Sequence, residues 1–301
     1  MVPRPRRPPA LRGAVFRARD VLGDGLLTRD QLRSSAWRRL FRGIYADAEL
    51  ADSFGLRIRG ARLLAPATAA FSGRTAAFMH GCTGLAGFGT PVELSLPAGV
   101  QFGPVEGLRI RRVRLPDADV VRIGTFRVTT GLRTALDIAR GDPLPVAVAA
   151  LDVMLAAAVV GWGELRAAGA ALRGGRGARR GRQATELADP RAESPPESRL
   201  RVLLTLVGLE PVPQHTVRDA TGAFVARVDL AFPAHRVAVE YDGLWHSEDG
   251  QFASDRRRLN RLHAAGWIVL HVTAADLYDP EALVARLRAL LAARERGELG
   301  L

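Results

Sequence analysis

Apolar residues recur at two spacings along the chain, and the switches between them mark out its elements. Val92-Glu93-Leu94-Ser95-Leu96 and Leu108 to Leu115 alternate as half-buried strands do, whereas Ser72 to His80 reads as helix. Thr130 stands as an N-cap before a helix over Gly131 to Arg140, and Pro143 to Val160 continues as an apolar helix. Nearer the N-terminus, Thr28-Arg29-Asp30-Gln31 has the form of a capping box. There the Thr28 hydroxyl can accept from the third amide while Gln31 reaches back. A second short helix is expected from Ser34 or Ser35, then a strand, Phe41-Arg42-Gly43-Ile44-Tyr45, after a basic turn. Short helices before a basic β-wing fit a small winged-helix unit, and equally a docking subdomain.

In the C-terminal third, Ser194-Pro195-Pro196-Glu197-Ser198 opens a helix through Val207. Leu200, Leu203, Leu204 and Val207 form its apolar face, and Gly208 is its expected C-cap. A strand near Gln214 to Arg218 follows. Then come two runs rich in Val and aromatics, Arg227 to Phe232 and Val237 to Gly243, joined by the turn residues Pro233-Ala234-His235-Arg236. They predict an antiparallel hairpin. A helix from about Asp249 to Ala265, a strand Trp267 to Val272 and a last helix Pro280 to Ala293 complete the order α-β-β-β-α-β-α, an α/β layer on a mixed sheet.

The expected organisation is therefore α/β multidomain. A loose tail (1–10) precedes a shortened winged-helix-like unit (11–50) and an α+β domain (52–168). A linker rich in Arg, Gly and Pro (169–195) then leads to an α/β domain (196–294). The linker assignment rests on GGRGARRGRQ and ADPRAESPP, a composition poor in core-forming side chains.

Chemistry concentrates in the hairpin. Closing its turn symmetrically pairs Phe232 with Val237 and sets Asp229 opposite Glu240. Facing residues of an antiparallel pair have Cβ atoms about 4.5–5.5 Å apart, so two carboxylates there repel. Asp242 shares their face by alternation, while Val228, Leu230, Val237 and Val239 point into the core. Three converging oxygen ligands suit a hard cation such as Mg²⁺, which binds one or two carboxylates and keeps several waters. The same pattern also describes a half-exposed hairpin whose acids face solvent.

Composition narrows the partners. The 301 residues carry a formal charge of +12, favouring an anionic partner such as nucleic acid. All 43 basic residues are Arg, which reflects composition bias as well as the fitness of guanidinium for phosphate. The single cysteine, Cys82, excludes an intrachain disulfide and a multi-cysteine zinc site, and fits a reducing cytoplasm. The basic, Pro-rich Met1–Pro9 has no apolar run after it as a signal peptide would. Val146 to Trp162, interrupted by Asp152, falls short of the roughly 20 residues of a membrane helix. His80 and Cys82 make an incomplete metal set and read as core or loop residues.

The C-terminal motifs, in order, are Arg227-Val228-Asp229-Leu230-Ala231-Phe232-Pro233, Val239-Glu240-Tyr241-Asp242-Gly243-x-x-His246, Asp255-x-x-Arg258 and Gly266-Trp267-x-Val269-Leu270. Together they resemble a bacterial domain-of-unknown-function family (number 559) related to very-short-patch-repair endonucleases, in the PD-(D/E)xK nuclease superfamily. The resemblance spans about Glu197 to Leu291. It implies a restriction-endonuclease-like fold and phosphodiester hydrolysis with Mg²⁺ or Mn²⁺, Asp229 and Glu240 holding the metal; Asp242, a departure from the superfamily motif, is expected to add a ligand. Glu197 matches an extra helix-borne acid of the superfamily; otherwise it is a helix-start charge favoured by the dipole. Asp242 stands where the superfamily has lysine, which leaves His246 as base or phosphate donor. Arg256, Arg258 and Arg261 on the following helix, with Arg227, are the expected nucleic-acid contacts; a surface pair between Asp255 and Arg258 is the alternative.

The N-terminal half resembles, more loosely, the AbiEi-type antitoxin and transcriptional-regulator family. The matching residues are Gly25 to Leu32, Trp37-Arg38-Arg39-Leu40-x-x-Gly43-Ile44-Tyr45, Ser72-x-x-Thr75-Ala76-Ala77-x-x-His80-Gly81 and Thr129 to Asp137. Only Arg33 to Ala36 separates the first two motifs, too few residues for a groove-filling recognition helix. The resulting expectation is a cytoplasmic, metal-dependent DNA endonuclease tethered to an antitoxin-like module. The alternatives are a non-catalytic DNA-binding regulator or an antitoxin-like protein that binds a cognate toxin-like partner.

Overall fold

The computed structural model describes residues 5–243 and 251–298. The chain forms two compact units, residues 1–138 and 139–301.

The first unit opens with β1 (Val15–Arg17), α1 (Ala18–Gly23), α2 (Arg29–Leu32), β2 (Trp37–Phe41) and β3 (Ile44–Asp47), whose strands order as β1-β3-β2. The capping box forms as expected: Gln31 N donates to Thr28 Oγ1 at 3.3 Å and Thr28 N donates to Gln31 Oε1 at 2.9 Å. The second short helix does not form. Ser34 Oγ donates instead to Gln31 O at 2.7 Å, which closes α2, and the chain turns directly into β2. The unit continues with α3 (Phe54–Leu64), β4 (Ala70–Phe71), α4 (Gly73–Met79), β5 (Val92–Leu96), β6 (Leu108–Arg112), β7 (Val120–Ile123) and β8 (Phe126–Thr129), and the boundary falls within α5 (Gly131–Gly141). Its larger sheet runs β6-β5-β4-β8-β7. Phe41 and Ile44 from the small sheet pack in one core with Phe54, Ile58, Phe71, Leu94 and Leu96, so the expected 11–50 and 52–168 divisions share a hydrophobic interior. His80 Nε2 pairs with Thr129 O at 2.7 Å, and Cys82 is buried, its thiol pushed up by desolvation.

The second unit begins with helices α6 (Leu144–Ala156), α7 (Trp162–Ala170) and α8 (Ala178–Leu187), followed by α9 (Pro195–Leu206). Here the expected linker at 169–195 is corrected, because ten of its residues form α8, which packs on α6 and α7. Its glycines serve close approach. A Cβ on Gly169 would lie 1.8 Å from Thr185 Oγ1, and one on Gly177, at φ +77°, 2.3 Å from Arg140 O. The helices are tied to α9 by a buried ion pair. Arg201 Nη2 donates to Asp152 Oδ2 at 2.8 Å and Nη1 to Leu187 O at 2.7 Å, while Asp189 N donates to Asp152 Oδ1 at 2.7 Å.

Strands β9 (Val212–Arg218), β10 (Phe224–Phe232), β11 (Val237–Asp242) and β12 (Ile268–Thr273) order as β12-β11-β10-β9. Helix α10 (Gln251–Ala264) supplies the crossover that the parallel β11–β12 pair requires, and α11 (Ala274–Tyr278) and α12 (Pro280–Glu295) close the chain. Leu200 and Leu204 of α9 with Leu283, Leu287 and Leu291 of α12 cover one face of the sheet, against Leu230, Val237 and Val239. Leu262 of α10 and Trp267 pack with Ala231 and Ala238 on the other. The protein is thus an α/β multidomain chain with mixed and antiparallel sheets, and among the described residues no helix is long and apolar enough to cross a membrane.

Candidate active site

The hairpin pairs Phe232 with Val237, Ala231 with Ala238 and Leu230 with Val239, the register that its turn predicts. One step further, Asp229 comes level with Glu240. On its other side Gln214 lies between the pairs Val228↔His215 and Leu230↔Pro213, and Glu240 pairs with His271 on β12. Asp229, Glu240 and His271 therefore follow one another across β10, β11 and β12 on the α10 side, and Gln214 comes level with Asp229 on β9, so the row crosses all four strands.

Burial sets the electrostatics of this row. Glu240 is only 6% exposed and Asp229 is half-buried. Asp229 Oδ2 accepts from Tyr241 N at 2.9 Å. Its carboxyl is pushed up to about 6, mainly by desolvation; the Tyr241 amide opposes the shift, Glu197 and Glu240 add to it, and Arg258 opposes it. Glu197, in the first turn of α9, accepts through Oε2 from Gln214 Nε2 at 3.0 Å and from Glu193 N at 3.2 Å. Gln214 holds φ +50°, a left-handed conformation that costs a non-glycine residue about 1–3 kcal/mol and is often found at functional sites.

The repulsion between the acids is balanced by Arg258 of α10. Its guanidinium forks onto Glu240, with Nη1 donating to Oε2 at 2.8 Å and Nη2 to Oε1, and Nη2 also donates to Arg227 O at 2.8 Å. The Glu240 bond, Coulomb attraction to Glu240 and Asp229, and a lesser attraction to Asp255 hold the guanidinium charged, with desolvation opposing.

Several expected site residues stand differently. Asp242 is exposed and turned to His271, whose Nδ1 lies 2.9 Å from its Oδ2. It does not join Asp229 and Glu240, and among the described residues no group of three or more His, Cys, Asp or Glu side chains is arranged to hold a metal. Arg258 reaches inward onto Glu240 and is half-buried, its side chain 30% exposed, because its helix position lies over the buried acid. No ion pair joins it to Asp255 among the described residues. Arg227 is exposed and bonds Glu193 Oε1 at 2.5 Å, Arg256 is exposed, and Arg261 Nε donates to Val225 O at 3.4 Å. His246 lies outside the described residues. Two members of the row, Gln214 and His271, went unrecognised in the sequence. His271 had a signal in its alternation against the apolar Leu270 and Val272; its pairing with Glu240 depends on a parallel register that no local pattern encodes.

Fold and site together define an α/β multidomain protein whose second unit carries two facing acids, Asp229 and Glu240, in a polar row across a mixed sheet. No family model matches the chain. The uncharacterized proteins MT2308 and Rv2248 of Mycobacterium tuberculosis are each 31% identical to it over 273 residues, spanning 87% of this chain and 96% of theirs. The chain belongs to the family of these mycobacterial proteins. Among solved structures, the catalytic domain of homing endonuclease I-Bth0305I aligns at 23% identity over 33% of this chain and 95% of that domain, with a TM-score of 0.27. The RV2827C protein of M. tuberculosis aligns at 17% identity over 69% of this chain and 84% of that one, with a TM-score of 0.39.

Proposed function

We propose that the second unit hydrolyses phosphodiester bonds in DNA with the help of Mg²⁺ or Mn²⁺. The observation that carries this reading is Asp229 facing Glu240 across the hairpin beneath Arg258 of α10, with the Asp229 carboxyl raised to about 6 by burial and by the charges of Glu197 and Glu240. Asp229 and Glu240 are a sufficient donor set for a cation that prefers one or two carboxylates and several waters. Such an ion would polarise the scissile phosphate and lower the pKa of an attacking water. Glu197 and Gln214 orient the edge of the row through their hydrogen bond. Arg258 is bonded to Glu240 and attracted to Asp229, and it supplies the positive charge that Asp242 cannot. The ordered motifs, which resemble those of the endonuclease-like family, support the same assignment.

A second reading has one observation in its favour. Arg258 satisfies both Glu240 oxygens, so the row can persist as a permanent ion pair in a DNA-binding regulator without hydrolytic activity. Supercoiled DNA incubated with purified protein and Mn²⁺ separates the two. The wild type is expected to nick it, and Asp229→Ala and Glu240→Ala to lose at least about 100-fold in rate, the scale of a lost major transition-state contact. Equal nicking by all three proteins would remove the assignment. Tight DNA binding with no nicking by any of them would favour the regulator.

A further inference from the structure

The first unit holds a cleft of about 780 Å³ whose lining includes Arg38, Arg39, Arg42, Arg57 and Phe88, against the acids Asp52 and Glu106. Two of the four guanidinium groups are fixed by neutral partners. Arg57 donates to Thr90 O at 3.1 Å and Gly107 O at 3.4 Å, with its guanidinium carbon 6.0 Å from the centre of the Phe41 ring. Arg38 donates to Leu50 O and Ala48 O, both at 3.2 Å, and stands 3.6 Å from Asp52. Carbonyl oxygens orient a guanidinium without cancelling its charge, so at least the Arg57 charge remains in the cleft wall. Arg39 and Arg42 are exposed on β2 and on the turn that Gly43 makes at φ +77°, and among the described residues neither is paired with a carboxylate. Phe88, in the same lining, is 66% exposed, a large aromatic surface left in water at the cleft wall.

Unneutralised arginines around a concave wall with an exposed ring match one ligand chemistry: phosphates spaced along a chain whose bases are free to stack. We propose that this cleft binds single-stranded nucleic acid, with backbone phosphates on Arg39 and Arg42 and a base against Phe88. A paired and stacked duplex offers the ring no free base face, whereas a single strand offers one at every nucleotide. The assignment is independent of hydrolysis in the second unit.

Fluorescence anisotropy of the full chain in EDTA tests it, using a labelled single-stranded oligonucleotide and a duplex of the same sequence. Arg39→Ala/Arg42→Ala is expected to weaken single-strand binding about tenfold and to reduce the salt slope by about 1.4, at roughly 0.7 per phosphate. Phe88→Ala is expected to weaken the single strand about fivefold or more, the scale of one lost base stack, and to leave the duplex unchanged. All three side chains are exposed, so circular-dichroism melts of the variants should match the wild type. Unchanged single-strand binding in the double variant would overturn the proposal. So would a Phe88→Ala loss as large for duplex as for single strand.

Discussion

Asp229 answers two opposed demands. It accepts a hydrogen bond from Tyr241 N, which favours the carboxylate, yet its burial beside Glu197 and Glu240 favours the acid and wins. Its folded value of about 6 exceeds the ordinary 3.8, so between these values the folded state holds a proton that the unfolded state has lost. Stability therefore falls as pH rises from about 4 to about 6 and stays reduced above that. Asp229→Asn, measured by thermal melts in EDTA, should stabilise the protein at pH 8 and do little at pH 4. An equal effect at both pH values would place the strain elsewhere. That two acids would face each other was legible from the turn residues and strand alternation. That an arginine eighteen residues beyond Glu240 would balance them was not, because the spacing marks Arg258 only as a helix-face residue and its reach depends on how α10 lies over the sheet.

At the scale of elements, composition misled most where glycine was read as flexibility. In 169–195 the glycines allow helices to touch: Gly181 stands where a Cβ would meet Leu172 Cδ1 at 2.8 Å, and Gly177 takes a left-handed conformation against a backbone carbonyl. Gly177→Ala is accordingly expected to cost about 1–3 kcal/mol in chemical denaturation, where a linker glycine would cost almost nothing. The buried Asp152–Arg201 pair joins the same helices, and desolvation raises Asp152 while Arg201 opposes the shift. Arg201→Leu should destabilise by about 3–5 kcal/mol, since it strands Asp152 without its partner, and an effect below about 1 kcal/mol would show the pair to be incidental. By contrast the amphipathic α9, the capping box of α2 and the hairpin were readable, because each is specified by residues close together in sequence. Strand order and the β11–β12 register were not, since they depend on contacts made across α10.

Across the whole molecule, the charge of +12 overstates what is offered to an anionic partner. Many of the arginines clamp backbone carbonyls of the same chain: Arg17 on Leu63 O, Arg140 on Arg176 O, Arg288 on Val207 O. A net charge read from sequence cannot separate such internal clamps from surface cations, which is why the α10 arginines were expected together as phosphate contacts although Arg258 holds Glu240. The central claim is that Asp229 and Glu240 form a cation site within this framework. Titration of Mn²⁺ followed by electron paramagnetic resonance tests it without requiring a substrate. One bound ion is expected in the wild-type protein, and that binding is expected to be lost in Asp229→Asn and in Glu240→Gln. Undiminished Mn²⁺ binding by both variants, or no binding by the wild type, would contradict it.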